Sequence, residues 1–287
     1  MARLALIALV LLQGESVKPR YAANLGTRDK IYTEIKMGIK IEGPEQLAGF
    51  VRSMHPFLSM EKLAVRAEGG LQVVGKNRRK VDHDEARVEL RYDDDDHEYD
   101  YLKGQAPEGD KDKLKQMMWF FAASGRSYSL SAEGEYKSDD PNQDHNGEAM
   151  DLYALGITRM PDGPVREGDT YEKTFKGQRS EKNKPAKYDF RQKVKVEKVE
   201  ERDGKKVVTL ASDLSGKVDG AKDPTAEENW TKCEGKTRTV IEVDSGRVLS
   251  SEGKGLVTVY FRNTADTGAK QELKMFFNIE GKLAVKP

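Results

Sequence analysis

Between Thr237 and Val243 the chain has a period of two: Thr237, Thr239, Ile241 and Val243 share one face, and Arg238, Val240 and Glu242 the other. Side chains alternate across a β-strand, so this spacing specifies a half-buried strand rather than an amphipathic helix. Asp244-Ser245-Gly246 interrupts it. Gly246 can take the positive φ that closes a three-residue hairpin loop. Leu249, Ser251, Gly253, Gly255, Val257, Val259 and Phe261 then run back along a single face. Gly253 and Gly255 sit mid-strand, where glycine commonly marks a bulge or bend.

The same pattern recurs along most of the chain. Ile31, Thr33, Ile35, Met37, Ile39 and Ile41 alternate with polar residues, and so do Ala86, Val88, Leu90 and Tyr92. Leu63, Val65 and Ala67 lead to Gly69-Gly70, read as a turn, and then to Leu71 and Val73. Asp93 to Asp96 repel one another and predict a turn before Tyr99 and Tyr101. Tyr128 and Leu130 alternate with serines, and Val165 to Phe175 restarts a strand. Residues 177–187 are read as a basic loop, Phe190–Val199 and Lys205–Leu214 as a hairpin about Asp203-Gly204, and Gly216–Glu228 as a second loop. Leu273, Met275, Phe277 and Ile279 form a last strand.

Helical spacing occurs twice. Leu47, Phe50, Val51 and Met54 lie between Pro44 and Pro56. Asp110 to Ser124 has Asp110 as N-cap and Gly125 as the residue after its end. Its second half is apolar nearly all round, with Leu114, Met117, Met118 and Phe121 on one stripe and Trp119 and Phe120 off it. Such a helix closes one end of a core or lids an apolar pocket. Strands joined by turns, with only two helices, predict a mainly β fold of antiparallel, strongly curved sheets, an open barrel or sandwich with one or two short helices.

The amino terminus reads as an export signal. Arg3 precedes the apolar run Leu4–Leu12, and Gly14-Glu15-Ser16 offers small residues for cleavage. The run is too short for a bilayer span of ~20 residues. Residues 1–16 are therefore assigned to a signal peptide and 17–29 to a flexible leader. Residues 30–160 form a first β half containing both helices, and 161–287 a second half packed with it as one unit; Met160 to Pro164 is the connector, following an apolar stretch from Leu152 to Ile157. A single cysteine, Cys233, precludes an intramolecular disulfide. Forty-nine Lys and Arg balance 49 Asp and Glu, which disfavours nucleic acid or anionic lipid as a partner.

Two segments carry a resemblance. Met160-Pro161-Asp162-Gly163-Pro164-Val165-Arg166-Glu167-Gly168-Asp169-Thr170-Tyr171 and the run from Thr239 through Asp244-Ser245-Gly246 to Ser251 resemble segments recurring in a β-rich family of exported bacterial proteins classed as a domain of unknown function. The resemblance implies an envelope location, periplasmic or extracellular, and a β fold. It transfers no catalytic residues.

Candidate chemistry is sparse. His55, His83, His97 and His145 show no metal-ligand spacing, and His83 and His97 sit in acidic turns. Asp140, Asn142, Asp144 and Asp151 match positions 1, 3, 5 and 12 of a calcium loop, but His145 replaces the turn glycine, so a polar loop is the expectation. No nucleophile elbow, phosphate loop or dinucleotide fingerprint occurs, and Cys233 reads as a buried strand residue. No catalytic residue, metal or cofactor is assigned. The expected function is non-enzymatic: an exported envelope protein that binds a lipid or other apolar molecule in a concave sheet, with Leu114, Met117, Met118, Trp119, Phe120 and Phe121 as ligand-binding residues. The alternatives are a structural or protein-interaction module of the envelope with a solid core, and an unrecognised hydrolase.

Overall fold

The computed structural model describes residues 15–22, 25–54, 56–92, 95–100, 127–139, 152–181, 184–219, 228–264 and 270–286. It is mainly β. In chain order the strands are β1 (Arg28–Glu42), β2 (Lys62–Val73), β3 (Arg78–Tyr92), β4 (Asp95–Asp100), β5 (Ser127–Leu130), β6 (Tyr136–Ser138), β7 (Thr170–Glu181), β8 (Lys184–Arg202), β9 (Lys205–Asp219), β10 (Glu228–Glu242), β11 (Val248–Thr264) and β12 (Lys270–Val285). Between β1 and β2 lie helix α1 (Glu45–Met54) and a single 3₁₀ turn, Pro56–Ser59.

All twelve strands join one antiparallel sheet in the order β6-β5-β3-β2-β1-β12-β11-β10-β9-β8-β7, with β4 also on β3. The ends, β6 and β7, do not meet, so the sheet is open, and no second sheet stacks on it among the described residues. The two sequence halves share it: β1 pairs with β12 over twelve residues, from Ile31 opposite Val285 to Glu42 opposite Lys274.

Local signals explain most connections. Asp203 and Gly204 both have positive φ, 51° and 72°, and join Arg202 to Lys205. That is the backbone twist a two-residue hairpin needs. Gly246 has φ 67°, as its turn requires, but the loop is one residue longer than expected: Glu242 donates to the Arg247 carbonyl at 2.9 Å, leaving Val243–Gly246 between them.

Other expectations are corrected. Gly69-Gly70 is no turn; β2 runs through it with a register shift after Glu68. Residues 177–187 are mostly strand, with Gly177 opposite Tyr188 and Ser180 opposite Pro185. In α1, Ala48 rather than Phe50 faces the core, and Phe50 is 59% exposed. The described part of the leader is anchored, not loose. Val17 exchanges two backbone bonds with Val165 at 2.8 and 2.7 Å, and Tyr21 is buried.

One face of the sheet is the core. Ile31, Ile35, Val65, Val88, Val194, Leu210, Ile241, Val257, Phe277 and Ile279 all lie on it at 5% exposure or less. Their alternation with exposed neighbours is the burial counterpart of the period read in the sequence.

Candidate functional site: a strapped core and a charged face

The apolar face carries a strap, residues 152–160, where Tyr153, Thr158 and Met160 have no exposed surface. The sheet is shaped to receive it. Gly235 on β10, Gly253 and Gly255 on β11 and Gly281 on β12 lie under Tyr153 and Ala154. In register Gly235 is opposite Gly255, and Gly253 opposite Gly281. A Cβ on Gly253 would sit 2.0 Å from the Tyr153 carbonyl oxygen, and one on Gly281 2.0 Å from that of Ala154. Close approach of the strap, its backbone over Gly253 and the Tyr153 ring over Gly255, explains these glycines rather than a bulge or bend, and their pairing continues without a register shift.

Polar groups fix the strap where it crosses β8–β11. The Gln192 side-chain amide donates to the Ile157 carbonyl at 3.1 Å and to Ser212 Oγ at 2.8 Å, while its oxygen accepts from the Arg159 amide at 2.7 Å. Thr158 and Thr237 hydroxyls share a 2.8 Å bond, and Thr239 donates to the Gly156 carbonyl at 2.8 Å. Ser251 donates to the Leu155 carbonyl at 2.6 Å. The Thr158 amide donates to Tyr21 Oη at 3.2 Å, tying the amino-terminal segment to the same network. Buried strand positions held by Thr, Ser and Gln are thus satisfied, because an irregular segment laid on a sheet must pair its backbone groups with side chains.

Burial sets the electrostatics of this region. It raises the pKa of the Tyr21, Tyr153 and Tyr171 phenols and pushes the Cys233 thiol up to about 12. A thiol held protonated at 0% exposure is a poor nucleophile. Beside the strap, among the described residues, lies a small cavity of about 30 Å³ between Tyr21, Leu155 and Ser251. That volume is about the share of one water in the liquid.

The opposite face is charged and open. Along β8 exposed residues alternate with buried ones, and the exposed set begins Lys187, Asp189, Arg191, Lys193, Lys195. Opposite charges meet within strands, as in Lys232–Glu234 at 2.7 Å and Lys217–Asp219 at 2.7 Å, and between strands, as in Lys254–Glu280 at 2.5 Å and Arg66–Glu34 at 3.1 Å. The Arg66 guanidinium holds the Glu34 carboxyl below its usual range. Among the described residues a depression of about 630 Å³ lies on this face over β1–β4 and β12, and two broader ones lie on the same face. One, of about 1160 Å³, spans β1 and β7–β12 and is lined by residues such as Lys193, Lys195, Lys236 and Glu252. The other, of about 1090 Å³, lies beside Trp230 over β8–β10. Trp230 stacks on Tyr260 with centroids 4.9 Å apart, and Lys217 and Lys274 approach the two rings at 6.0 and 5.9 Å.

Leu114, Met117, Met118, Trp119, Phe120 and Phe121 lie outside the described residues, as do the calcium-count positions 140–151, His55 and His145. His83 and His97 belong to strands β3 and β4, opposite Gly69 and Leu90, not to turns. Among the described residues no three His, Cys, Asp or Glu side chains converge as a metal-ligand set, and no helix is long and apolar enough to cross a membrane. Sequence reasoning passed over the charged face. Its signal was the alternation of sign at every second position, as in Lys217-x-Asp219 and Lys232-x-Glu234. No family model matches the chain, and no curated protein matches its sequence.

Proposed function

We propose that the protein is a non-enzymatic, exported module of a bacterial envelope that acts through the polar face of its sheet and keeps a solid core. The observation that carries this reading is the strap: residues 152–160 occupy the middle of the apolar face, over four glycines whose missing side chains are replaced by the Tyr153 ring and the Tyr153–Ala154 backbone. A lipid carrier needs an open apolar volume of several hundred Å³, and the cavity beside the strap holds about 30 Å³. Among the described residues the two broadest depressions are lined by lysines and carboxylates, and a third of about 630 Å³ carries Lys62, Glu89 and Glu98 beside Met37 and Leu63. Export rests on the apolar run Leu4–Leu12 after Arg3.

The lipid-binding reading draws on the apolar helix expected over residues 110–124 and on the concave sheet expected from long curved strands. One experiment separates the two. The purified full chain is delipidated, offered a long-chain fatty acid and a phospholipid, and weighed by native mass spectrometry. The solid-core module stays at its bare mass. A stoichiometric lipid adduct, co-purified or rebound, overturns it.

A further inference from the structure

The charged face is not uniform. On β8 four cations, Lys187, Arg191, Lys193 and Lys195, are exposed against one carboxylate, Asp189, before Glu197. Arg191 is engaged by Glu172 at 3.1 Å. Lys187, Lys193 and Lys195 have no ion pair among the described residues, whereas Lys217, Lys232 and Lys254 all do. Register places Lys187 in the cross-strand row of Asp219 and Trp230, and Lys193 in that of Asp213 and Lys236. Six residues of strand separate these rows, about 20 Å at ~3.3 Å per residue. The two depressions occupy this length in succession, one ending at Glu234 and the other beginning at Lys236 on β10.

We propose that this trough binds an acidic polysaccharide, with Trp230 as its aromatic wall and Lys187, Lys193 and Lys195 as the cations that receive its carboxylates. Each part of the trough suits a sugar. An indole half-exposed beside an open polar trough offers an apolar surface, with its N–H as a polar handle. A carboxylate such as Asp213 accepts hydrogen bonds from hydroxyls, while ammonium groups donate to ring and carboxylate oxygens. A strand of nucleic acid, charged at every residue, would meet those same carboxylates as repulsion. A chain that carries an acid on only some of its sugars fits cations spaced along the trough.

The proposal rests on the reading of the protein as a polar-face module, and its test is separable from the lipid test above. The probe is a hyaluronan oligosaccharide, which alternates acidic and neutral sugars, titrated calorimetrically into the full chain at 150 mM salt. Dextran, polyglutamate and single-stranded DNA serve as comparison polymers. Binding of hyaluronan at least tenfold tighter than all three is expected, with Trp230→Ala weakening it tenfold or more. Because Trp230 packs on Tyr260, Lys193→Ala/Lys195→Ala is measured alongside; both side chains are exposed, and the pair is expected to weaken binding and flatten its salt dependence. Lys40→Ala, on β1 and paired with Glu42 at 2.6 Å, is expected to bind like the parent chain. Absence of hyaluronan binding, equal binding of polyglutamate or DNA, or undiminished binding by the lysine double variant overturns the proposal. The bare-mass result would in that case still support the solid-core module.

Discussion

The two faces of this sheet share a backbone but solve opposite problems. On the strapped face, glycine, threonine and glutamine replace the branched aliphatic residues of an ordinary core, because a strap that is helical at 152–154 and irregular beyond must approach closely and have its amides and carbonyls paired. On the other face, long charged side chains stand in water, and their pairs are individually weak. Stability should therefore be concentrated where the strap crosses β8–β12, while the charged face can be altered at little cost. A face that tolerates change without unfolding is available for recognition.

The contrast can be broken or sharpened by measuring denaturation midpoints for substitutions on each side. Tyr153→Ala removes a fully buried ring from the middle of the strap and is expected to cost about 4 kcal/mol, the range for deleting a buried aromatic side chain. Gly281→Val drives a branched side chain into the Ala154 backbone and should cost about 3 kcal/mol. Gly163→Ala has nothing within 4 Å of the added Cβ and should be near neutral. Gln192→Leu leaves the Arg159 amide and the Ile157 carbonyl without their partner, for an expected loss of about 2 kcal/mol.

Alkali tests the same face without mutation. Tyr21, Tyr153 and Tyr171 have folded pKa values raised by burial, so the unfolded chain, with phenols near pH 10, releases protons first. Their contribution is complete below that pH and drains away as pH climbs toward the folded values, by at most about 1.4 kcal/mol per pH unit for each phenol. Tyrosinate absorbance from these three should rise only together with loss of the β circular-dichroism signal; earlier ionisation would place them nearer water. The smallest effect belongs to the charged side. Lys254→Ala breaks the pair with Glu280, in which the lysine side chain is 78% exposed, and should change stability by less than about 0.5 kcal/mol. A larger loss would mean that the charge ladder, too, holds the sheet together.

Much of this architecture was legible in the sequence because period-two alternation has a single structural meaning. Ile31 to Ile41, the Asp203-Gly204 hairpin and the final strand from Leu273 all followed from it. Where reading failed, a long-range partner decided the outcome. Gly253 and Gly255 look like bulge glycines in isolation, and only the arrival of Tyr153 from about a hundred residues upstream explains them. Thr237 and Thr239 fit a half-buried strand, but their role as acceptors and donors for the strap depends on where Leu152–Met160 settles. Residues 177–187 read as a loop because glycine, proline and lysine are poor strand formers, yet pairing with β8 overrode that preference. The charged face was written openly, in alternating signs two residues apart, but a balanced charge total concealed it.

The seam between β1 and β12 has a kinetic consequence. Strand pairs β2–β3, β8–β9 and β10–β11 can begin to zip from local hairpins, but Ile31 meets Val285 across more than two hundred and fifty residues. Contacts of such high order make folding slow, since the entropy of closing the largest loop is spent before the seam returns anything. Until the last strand emerges, β1 is left with one bare edge, and a chaperone that shields it during synthesis is expected to raise the yield of folded protein.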